Sequence, residues 1–153
     1  MGKSREVVES ESKAVQGKKP SVFREVYPIH EPYVYAAVVR EPNTQRIRYE
    51  VIEPTLLKGE EESQLREIKA ILIEEIDVNL KDIGTREKAE EYLKSKVQEI
   101  IEDYRLKIAE EAVDKLMYYI VRDFIGYGKI DPLMKDHLIE DISADGVNIP
   151  LYV

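Results

Sequence analysis

The 153-residue chain contains no cysteine and no tryptophan. The lack of cysteine excludes disulfides, thiolate zinc sites, iron–sulfur clusters and cysteine nucleophiles. No apolar run approaches the roughly 20 residues that a transmembrane helix needs, and the N-terminus has no signal-peptide core. Basic residues are outnumbered by acidic ones, 23 to 31, for a formal charge of -8. Proteins that bind duplex nucleic acid normally show the opposite balance, so we expect no nucleic-acid partner.

Charged residues make up 35% of the chain, and tyrosine occurs ten times. The length suffices for one buried core. Residues 1–20 are rich in Lys, Glu, Ser and Gly and cannot bury enough apolar surface to fold, so they predict a disordered tail. The folded domain is expected to cover residues 21–153.

A β-hairpin is predicted near the start of this domain. The β-branched and aromatic run from Tyr33 to Arg40 favours a strand, and Glu41 to Gln45 has turn chemistry. The alternating segment from Arg46 to Glu53 predicts a second strand with one wet face. Pro54 should end it, because proline cannot donate to a β-ladder.

Long amphipathic helices are predicted next. One face of the first helix should carry Leu65, Ile68, Leu72, Ile76 and Leu80, which recur at helical spacing. Thr85 is expected to cap the following helix with its hydroxyl. A second apolar stripe then runs from Ala89 to Phe124, long enough for a coiled coil or two stacked helices. Because its spacing drifts from a heptad repeat, we expect a bend near residues 104–107.

The last segment predicts turns and a short hairpin. Gly126 is expected in a left-handed helix cap, and Asp131 should cap a short turn that begins with Pro132. Asp145-Gly146 is a strong two-residue hairpin signal, between residues 142–144 and 147–149. The apolar ending at Val153 suggests a cut through a sheet in a longer protein. The predicted fold class is α+β: an N-terminal β-hairpin, two to three long amphipathic helices and a short C-terminal β-hairpin.

No catalytic, nucleotide-binding or metal site is predicted. His30 and His137 lie in different regions and are expected at the surface. Residues 141–152 resemble a calcium loop, but Tyr152 stands where a bidentate glutamate is needed. No glycine-rich loop is present to hold a phosphate. We therefore expect the chain to be inactive alone.

The residues proposed as a structural tie or domain interface are Arg122, Asp123, Glu140 and Asp141. Each pair of charges interrupts an apolar run, and such charges are seldom buried unless paired. We hypothesise that Arg122 bonds an acidic residue of the Glu140-Asp141 segment and so ties the long helix to the last hairpin. Four solvated charges are the alternative.

Two strings, from Tyr118 to Met134 and from Ile139 to Gly146, closely resemble the N-terminal domain of archaeal type II/IV secretion ATPases. These are the GspE-like export motors and the archaellum assembly motor. Residues 31–34 and 49–54 also look like the early hairpin of this family. The resemblance runs from about Tyr27 to Val153, and Ala144 stands where many relatives carry cysteine.

The resemblance implies a regulatory or interaction domain of a hexameric motor, cytoplasmic and peripheral at the inner face of the cell membrane. The motor would use ATP and Mg to export or assemble pilin-like subunits. The implied partners are its own C-terminal ATPase domain, neighbouring subunits of the homohexamer and a polytopic membrane platform protein. No nucleotide-contacting residue of the family can be placed in this chain, so no cofactor is expected in it. A freestanding helical scaffold or coiled-coil adaptor is the alternative, and a carboxylate-dependent hydrolase a weaker one.

Overall fold

The computed structural model describes residues 22–153, and side chains from residue 25 onward. The predicted disordered tail, residues 1–20, lies outside the described residues. The fold is α+β, as predicted. A three-stranded antiparallel sheet is followed by four helices in the described part of the chain.

The sheet has the order β1-β2-β3, with β1 at Val22–His30, β2 at Val34–Arg40 and β3 at Ile47–Ile52. The predicted hairpin is confirmed as β2 and β3, which pair from Tyr35–Ile52 to Arg40–Ile47. Strand β1 was not predicted. It pairs with β2 through a tight turn and makes β2 the central, most buried strand.

The helices are α1 at Glu61–Glu75, α2 at Arg86–Asp103, α3 at Glu110–Phe124 and α4 at Asp131–Lys135. The expected interruption of the long stripe is confirmed, because residues 104–109 separate α2 from α3. The Thr85 cap is also confirmed, since its hydroxyl accepts from the Lys88 amide. Helix α1 ends earlier than predicted. Asn79 instead accepts from the Lys81 amide and starts a short 3-10 turn at Leu80–Asp82.

The hydrophobic core lies among α1, α2 and α3. Its members are Leu65, Ile68, Leu72, Leu93, Val97, Ile100, Leu116 and Ile120. All of them belong to the predicted apolar stripes, so the helical spacing identified the packed faces correctly. None of the helices described for residues 22–153 is long and apolar enough to cross a membrane.

Two turn predictions near the end of α3 are wrong. Gly126 is not left-handed; the left-handed glycine is Gly128, which begins a 3-10 turn. Asp131 does not cap α4 either, because Ile130 holds the cap position. The Asp131 carboxylate accepts instead from the Tyr127 amide at 3.1 Å, which satisfies the backbone ahead of the helix.

The predicted C-terminal hairpin is reduced to one antiparallel bridge between Ser143 and Tyr152. Their backbones exchange hydrogen bonds of 2.9 and 3.1 Å. The predicted turn at Asp145-Gly146 does not pair its flanking residues. Asn148 takes a left-handed φ of 63° in the middle of the expected second strand, and Pro150 lacks an amide to donate.

Candidate functional site

A buried charge network is centred on Arg122, which lies on α3 and is only 8% exposed. Its Nη1 donates to Glu53 Oε1 at 2.8 Å, and its Nε donates to Asp123 Oδ1 at 2.6 Å. The guanidinium carbon lies 4.8 Å from the centroid of the Tyr119 ring. Because Glu53 directly follows β3, Arg122 ties the third helix to the end of the sheet.

The hypothesised partners of Arg122 are therefore wrong, although the expected burial and pairing of its charge are found. Glu140 and Asp141 are exposed, and the ion pairs of Arg122 go to Glu53 and Asp123. Helix spacing identified Arg122 as an anomaly in an apolar stripe. It could not identify Glu53, because that contact depends on how the sheet packs against α3. The role of the four residues as a domain interface stays a prediction.

The network extends to α1 through Lys69, which pairs with Asp123. Burial by itself disfavours the charges of both Arg122 and Asp123. Their mutual hydrogen bond and those with Glu53 and Lys69 outweigh it, so the pKa of Arg122 is raised and the pKa of Asp123 is lowered. Both groups are thus held in their charged forms, and the network joins α1, α3 and the sheet.

Tyrosines complete this junction. The Tyr118 hydroxyl donates to Glu53 Oε1 at 2.7 Å, and the Tyr119 hydroxyl donates to the Pro54 carbonyl at 2.6 Å. Tyr33 stacks on Tyr118 with ring centroids 5.9 Å apart. Burial, followed by the hydrogen bond to Glu53, raises the pKa of Tyr118. Its hydroxyl therefore stays protonated and acts as a donor.

A second carboxylate, Asp136, joins the C-terminal segment to the sheet and was not identified from the sequence. The hydroxyls of Tyr27 and Tyr49 both donate to Asp136 Oδ2, at 2.7 and 2.6 Å, and the Leu138 amide donates to Oδ1 at 2.9 Å. Burial opposes the charge, but these three donors lower the pKa of Asp136. Burial and the same carboxylate raise the pKa of Tyr27 to about 12.

Asp131 forms a third buried junction, at the turn between α3 and α4. Its Oδ2 pairs with Lys135 at 2.6 Å. A Cβ added to Gly126 would lie 2.3 Å from Asp131 Oδ1 and 2.7 Å from the Arg122 carbonyl oxygen. Glycine is thus required at position 126 by close packing and not by a left-handed conformation.

The fourth junction is between Glu61, 3% exposed at the start of α1, and Lys115 of α3. Lys115 Nζ reaches both carboxylate oxygens at 2.6 and 2.7 Å, and the Leu57 amide donates to Oε2 at 2.7 Å. The hydrogen bond from Lys115, then that from Leu57, lowers the pKa of Glu61.

These four junctions hold the secondary-structure elements of the domain together. In residues 25–153, no buried side-chain nitrogen or oxygen lacks a hydrogen-bond partner. The pKa values of Glu61, Asp123 and Asp136 are all lowered, whereas a general acid at neutral pH needs a raised one. His30 and His137 are exposed, as predicted. No group of three possible metal-ligating side chains converges within the described part of the chain.

A cleft of about 330 Å³ lies beside the Arg122 network. Four elements form it: the β1–β2 turn, α2, α3 and α4. Its charged and aromatic lining comprises His30, Tyr33, Arg86, Glu90, Asp114, Tyr118, Arg122, Asp131 and Lys135. Only Arg122 among these residues was singled out as a site residue from the sequence, because the cleft collects residues that are far apart along the chain.

No family model matches the chain. Two curated proteins of Methanocaldococcus jannaschii are similar to it. The uncharacterized protein MJ1288 is 43% identical over 106 residues, which cover 69% of this chain and 41% of that protein. The uncharacterized protein MJ0900 is 30% identical over 141 residues, which cover 79% of this chain and 25% of that protein. The chain thus spans less than half the length of either relative.

Proposed function

We propose that this chain is the N-terminal interaction domain of a hexameric archaeal secretion ATPase of the type II/IV class. Such a motor would be cytoplasmic, peripheral at the inner face of the cell membrane, and would power the export or assembly of pilin-like subunits. ATP and Mg would bind to a C-terminal ATPase domain. The domain described here would contact that ATPase domain, neighbouring subunits and a polytopic membrane platform protein.

The resemblance that motivates the proposal falls on particular parts of the fold. The string from Tyr118 to Met134 forms the second half of α3, the turn after it and most of α4. The string from Ile139 to Gly146 follows directly on the Asp136 junction. Both strings therefore belong to the region where α3, the sheet and the C-terminal segment are joined.

The observation that carries the proposal is that nine large apolar side chains of residues 127–153 are exposed. We call this set of side chains the C-terminal apolar surface. Its members are Tyr127, Ile130, Met134, Leu138, Val147, Ile149, Leu151, Tyr152 and Val153. Val147 is 90% exposed and Leu138 is 61% exposed. Monomeric proteins seldom leave large apolar patches uncovered, and those that exist often mark interaction sites.

The occupant that we assign to this surface is the ATPase domain of the same protein. The relatives extend well beyond the matched region, which covers 41% of one relative and 25% of the other. We propose that the protein to which this domain belongs likewise extends further, and that its ATPase domain lies in that part. The buried and fully satisfied polar groups of the described residues support a mechanical role over a catalytic one.

Site-specific photo-crosslinking of the protein as cells make it tests the proposal. A benzoylphenylalanine is placed at Val147, and a matched control is placed at Ile73 of α1, which is apolar and 72% exposed but lies elsewhere. We expect the Val147 probe to crosslink to peptides of a domain that contains a GxxxxGK[ST] phosphate loop, and the Ile73 probe not to do so.

Two outcomes would contradict the proposal. One is crosslinking of Val147 to the same peptides as Ile73, which would indicate contact without specificity. The other is crosslinking only to proteins without a phosphate loop, which would favour the alternative function of a freestanding helical scaffold or adaptor.

A further inference from the structure

Strand β3 is an open edge of the three-stranded sheet. It lies at the end of the strand order β1-β2-β3, and within residues 22–153 its backbone forms hydrogen bonds with β2 and with no other element. An edge strand presents a row of unpaired amides and carbonyls, which is a template for pairing with another strand. The backbone of β3 can therefore accept a further strand.

The two edges of the sheet differ in how they are protected. The other edge strand, β1, contains Pro28, which has no amide to donate, and its register with β2 shifts between Phe23 and Glu25 and again between Pro28 and His30. Prolines and bulges are features that prevent pairing at the edges of sheets. Strand β3 contains no proline and pairs with β2 in unbroken register. The regular edge is thus the one that can extend the sheet.

The charges of β3 select the strand that can pair with it. Arg48 and Glu50 are two residues apart and project from the same face of the sheet. They pair with each other at 2.5 Å, and Arg48 also pairs with Glu41 at 3.2 Å, yet 43% of the Arg48 side chain and 37% of the Glu50 side chain stay exposed. An antiparallel partner must place an acidic residue opposite Arg48 and a basic residue opposite Glu50. Read in its own direction, that partner has the sequence Arg-x-Glu, which is the sequence of β3 itself.

Symmetry narrows the register of such a pair. Two identical antiparallel edge strands are related by a two-fold axis perpendicular to the sheet, and this axis passes through one residue position. An axis at Arg48 or at Glu50 would place two like charges directly opposite each other, which is destabilising. An axis at Tyr49 places Arg48 of each copy opposite Glu50 of the other. It also places Ile47, which is 61% exposed, opposite Val51.

We propose that two copies of this chain associate by antiparallel pairing of their β3 strands, with Tyr49 at the two-fold axis. The two sheets then form one continuous sheet. The pairs within each strand can remain, and the four charged side chains of Arg48 and Glu50 alternate in sign across the junction. This inference is independent of the proposed function, because β3 lies outside the C-terminal apolar surface and a two-fold contact joins only two copies.

Sedimentation equilibrium of the 153-residue chain tests the inference. Protein concentrations extend to about 1 mM so that weak association is detected, and the salt concentration is low because exposed charge pairs are screened. We expect the average mass to rise from that of a monomer toward that of a dimer as the concentration increases. A mass that stays monomeric at every concentration would overturn the inference.

Charge reversal identifies the contact. Arg48→Glu and Glu50→Arg each place like charges opposite each other, so each should weaken self-association about tenfold. The double variant Arg48→Glu/Glu50→Arg should restore it, and an equimolar mixture of the two single variants should associate more strongly than either variant alone. The control is Arg86→Glu on α2, which changes the net charge as Arg48→Glu does and should alter the affinity less than about twofold. Equal effects of Arg48→Glu and Arg86→Glu, or no recovery in the double variant, would overturn the inference.

Disulfide cross-linking tests the register, since the chain has no cysteine of its own. In the proposed pair, Ile47→Cys of one copy lies opposite Val51→Cys of the other, with Cα atoms about 4.5–5.5 Å apart, which is within the reach of a disulfide. Two copies of Ile47→Cys alone would hold their thiols roughly 13 Å apart along the strands. We expect a mixture of the two variants to cross-link under mild oxidation and Ile47→Cys alone not to do so. Equal cross-linking in both samples would contradict the proposed register.

Discussion

The ion pair between Arg122 and Glu53 should make a large and specific contribution to stability. We consider two substitutions that keep side-chain volume while removing charge, Arg122→Met and Glu53→Gln. Arg122 is the better buried partner, with 9% of its side chain exposed against 24% for Glu53. Removing one member of a buried pair leaves the other charge without compensation, which typically costs about 3–5 kcal/mol.

The structure places the cost for Arg122→Met near the lower end of that range. Glu53 is partly solvated and keeps the hydrogen bond from Tyr118, and Asp123 keeps Lys69. We therefore expect Arg122→Met to reduce the free energy of unfolding by about 3 kcal/mol. Glu53→Gln should reduce it by about 2 kcal/mol, since the amide still accepts from Tyr118. The double variant should lose less than the sum, with a coupling energy of about 1–2 kcal/mol.

Urea unfolding followed by circular dichroism measures these values. A matched cycle combines Arg122→Met with Asp141→Asn, which lies in the Glu140-Asp141 segment expected from the sequence to bond Arg122, and should be additive within about 0.5 kcal/mol. A coupling below about 0.5 kcal/mol for the Glu53 cycle, or a larger coupling with Asp141 than with Glu53, would show that Glu53 is not the principal partner of Arg122.

Three further outcomes are expected. Gly126→Ala should destabilise the fold by about 1–3 kcal/mol, because the new Cβ would meet the Asp131 carboxylate and the Arg122 carbonyl; an unchanged urea midpoint would contradict the close packing at this turn. Asp136→Asn should cost about 2 kcal/mol at pH 7. Because the folded pKa of Asp136 is lowered, its stabilisation is complete above the unfolded pKa of about 3.9 and is lost as the pH falls through the folded pKa. The destabilisation caused by Asp136→Asn should therefore shrink as the pH falls below about 4, and a constant difference down to lower pH would be inconsistent with a charged Asp136. The 153-residue chain should not hydrolyse Mg-ATP or bind it tightly, since its sequence has no phosphate loop; micromolar affinity in calorimetric titration would contradict this.

Local sequence patterns correctly predicted the helices, strands and helix cap that depend on residues close together in the chain. Helical spacing identified Leu93 and Leu116 as core residues, and alternation identified β2 and β3. The Thr85 cap was predictable because its hydroxyl acts on an amide only three residues away. The interruption near residue 104 followed from the drift of the apolar stripe.

Contacts over long sequence distances could not be predicted in this way. Asp136 is held by Tyr27 and Tyr49, which are 109 and 87 residues away, and no local pattern links them. Strand β1 was missed because its charged residues and Pro28 weaken the alternation that marks a strand. Gly126 was placed correctly at a helix end but for the wrong reason, since the side chain that excludes a Cβ is Asp131 at the start of α4.

The central functional claim is that this domain belongs to a larger ATPase. The most direct measurement is the intact mass of the protein purified from the cells that make it, with sequencing of its peptides by mass spectrometry. We expect a mass well above 17.8 kDa and a peptide that continues past Val153 toward a GxxxxGK[ST] loop. An intact mass of 17.8 kDa, with Val153 as the final residue, would contradict it.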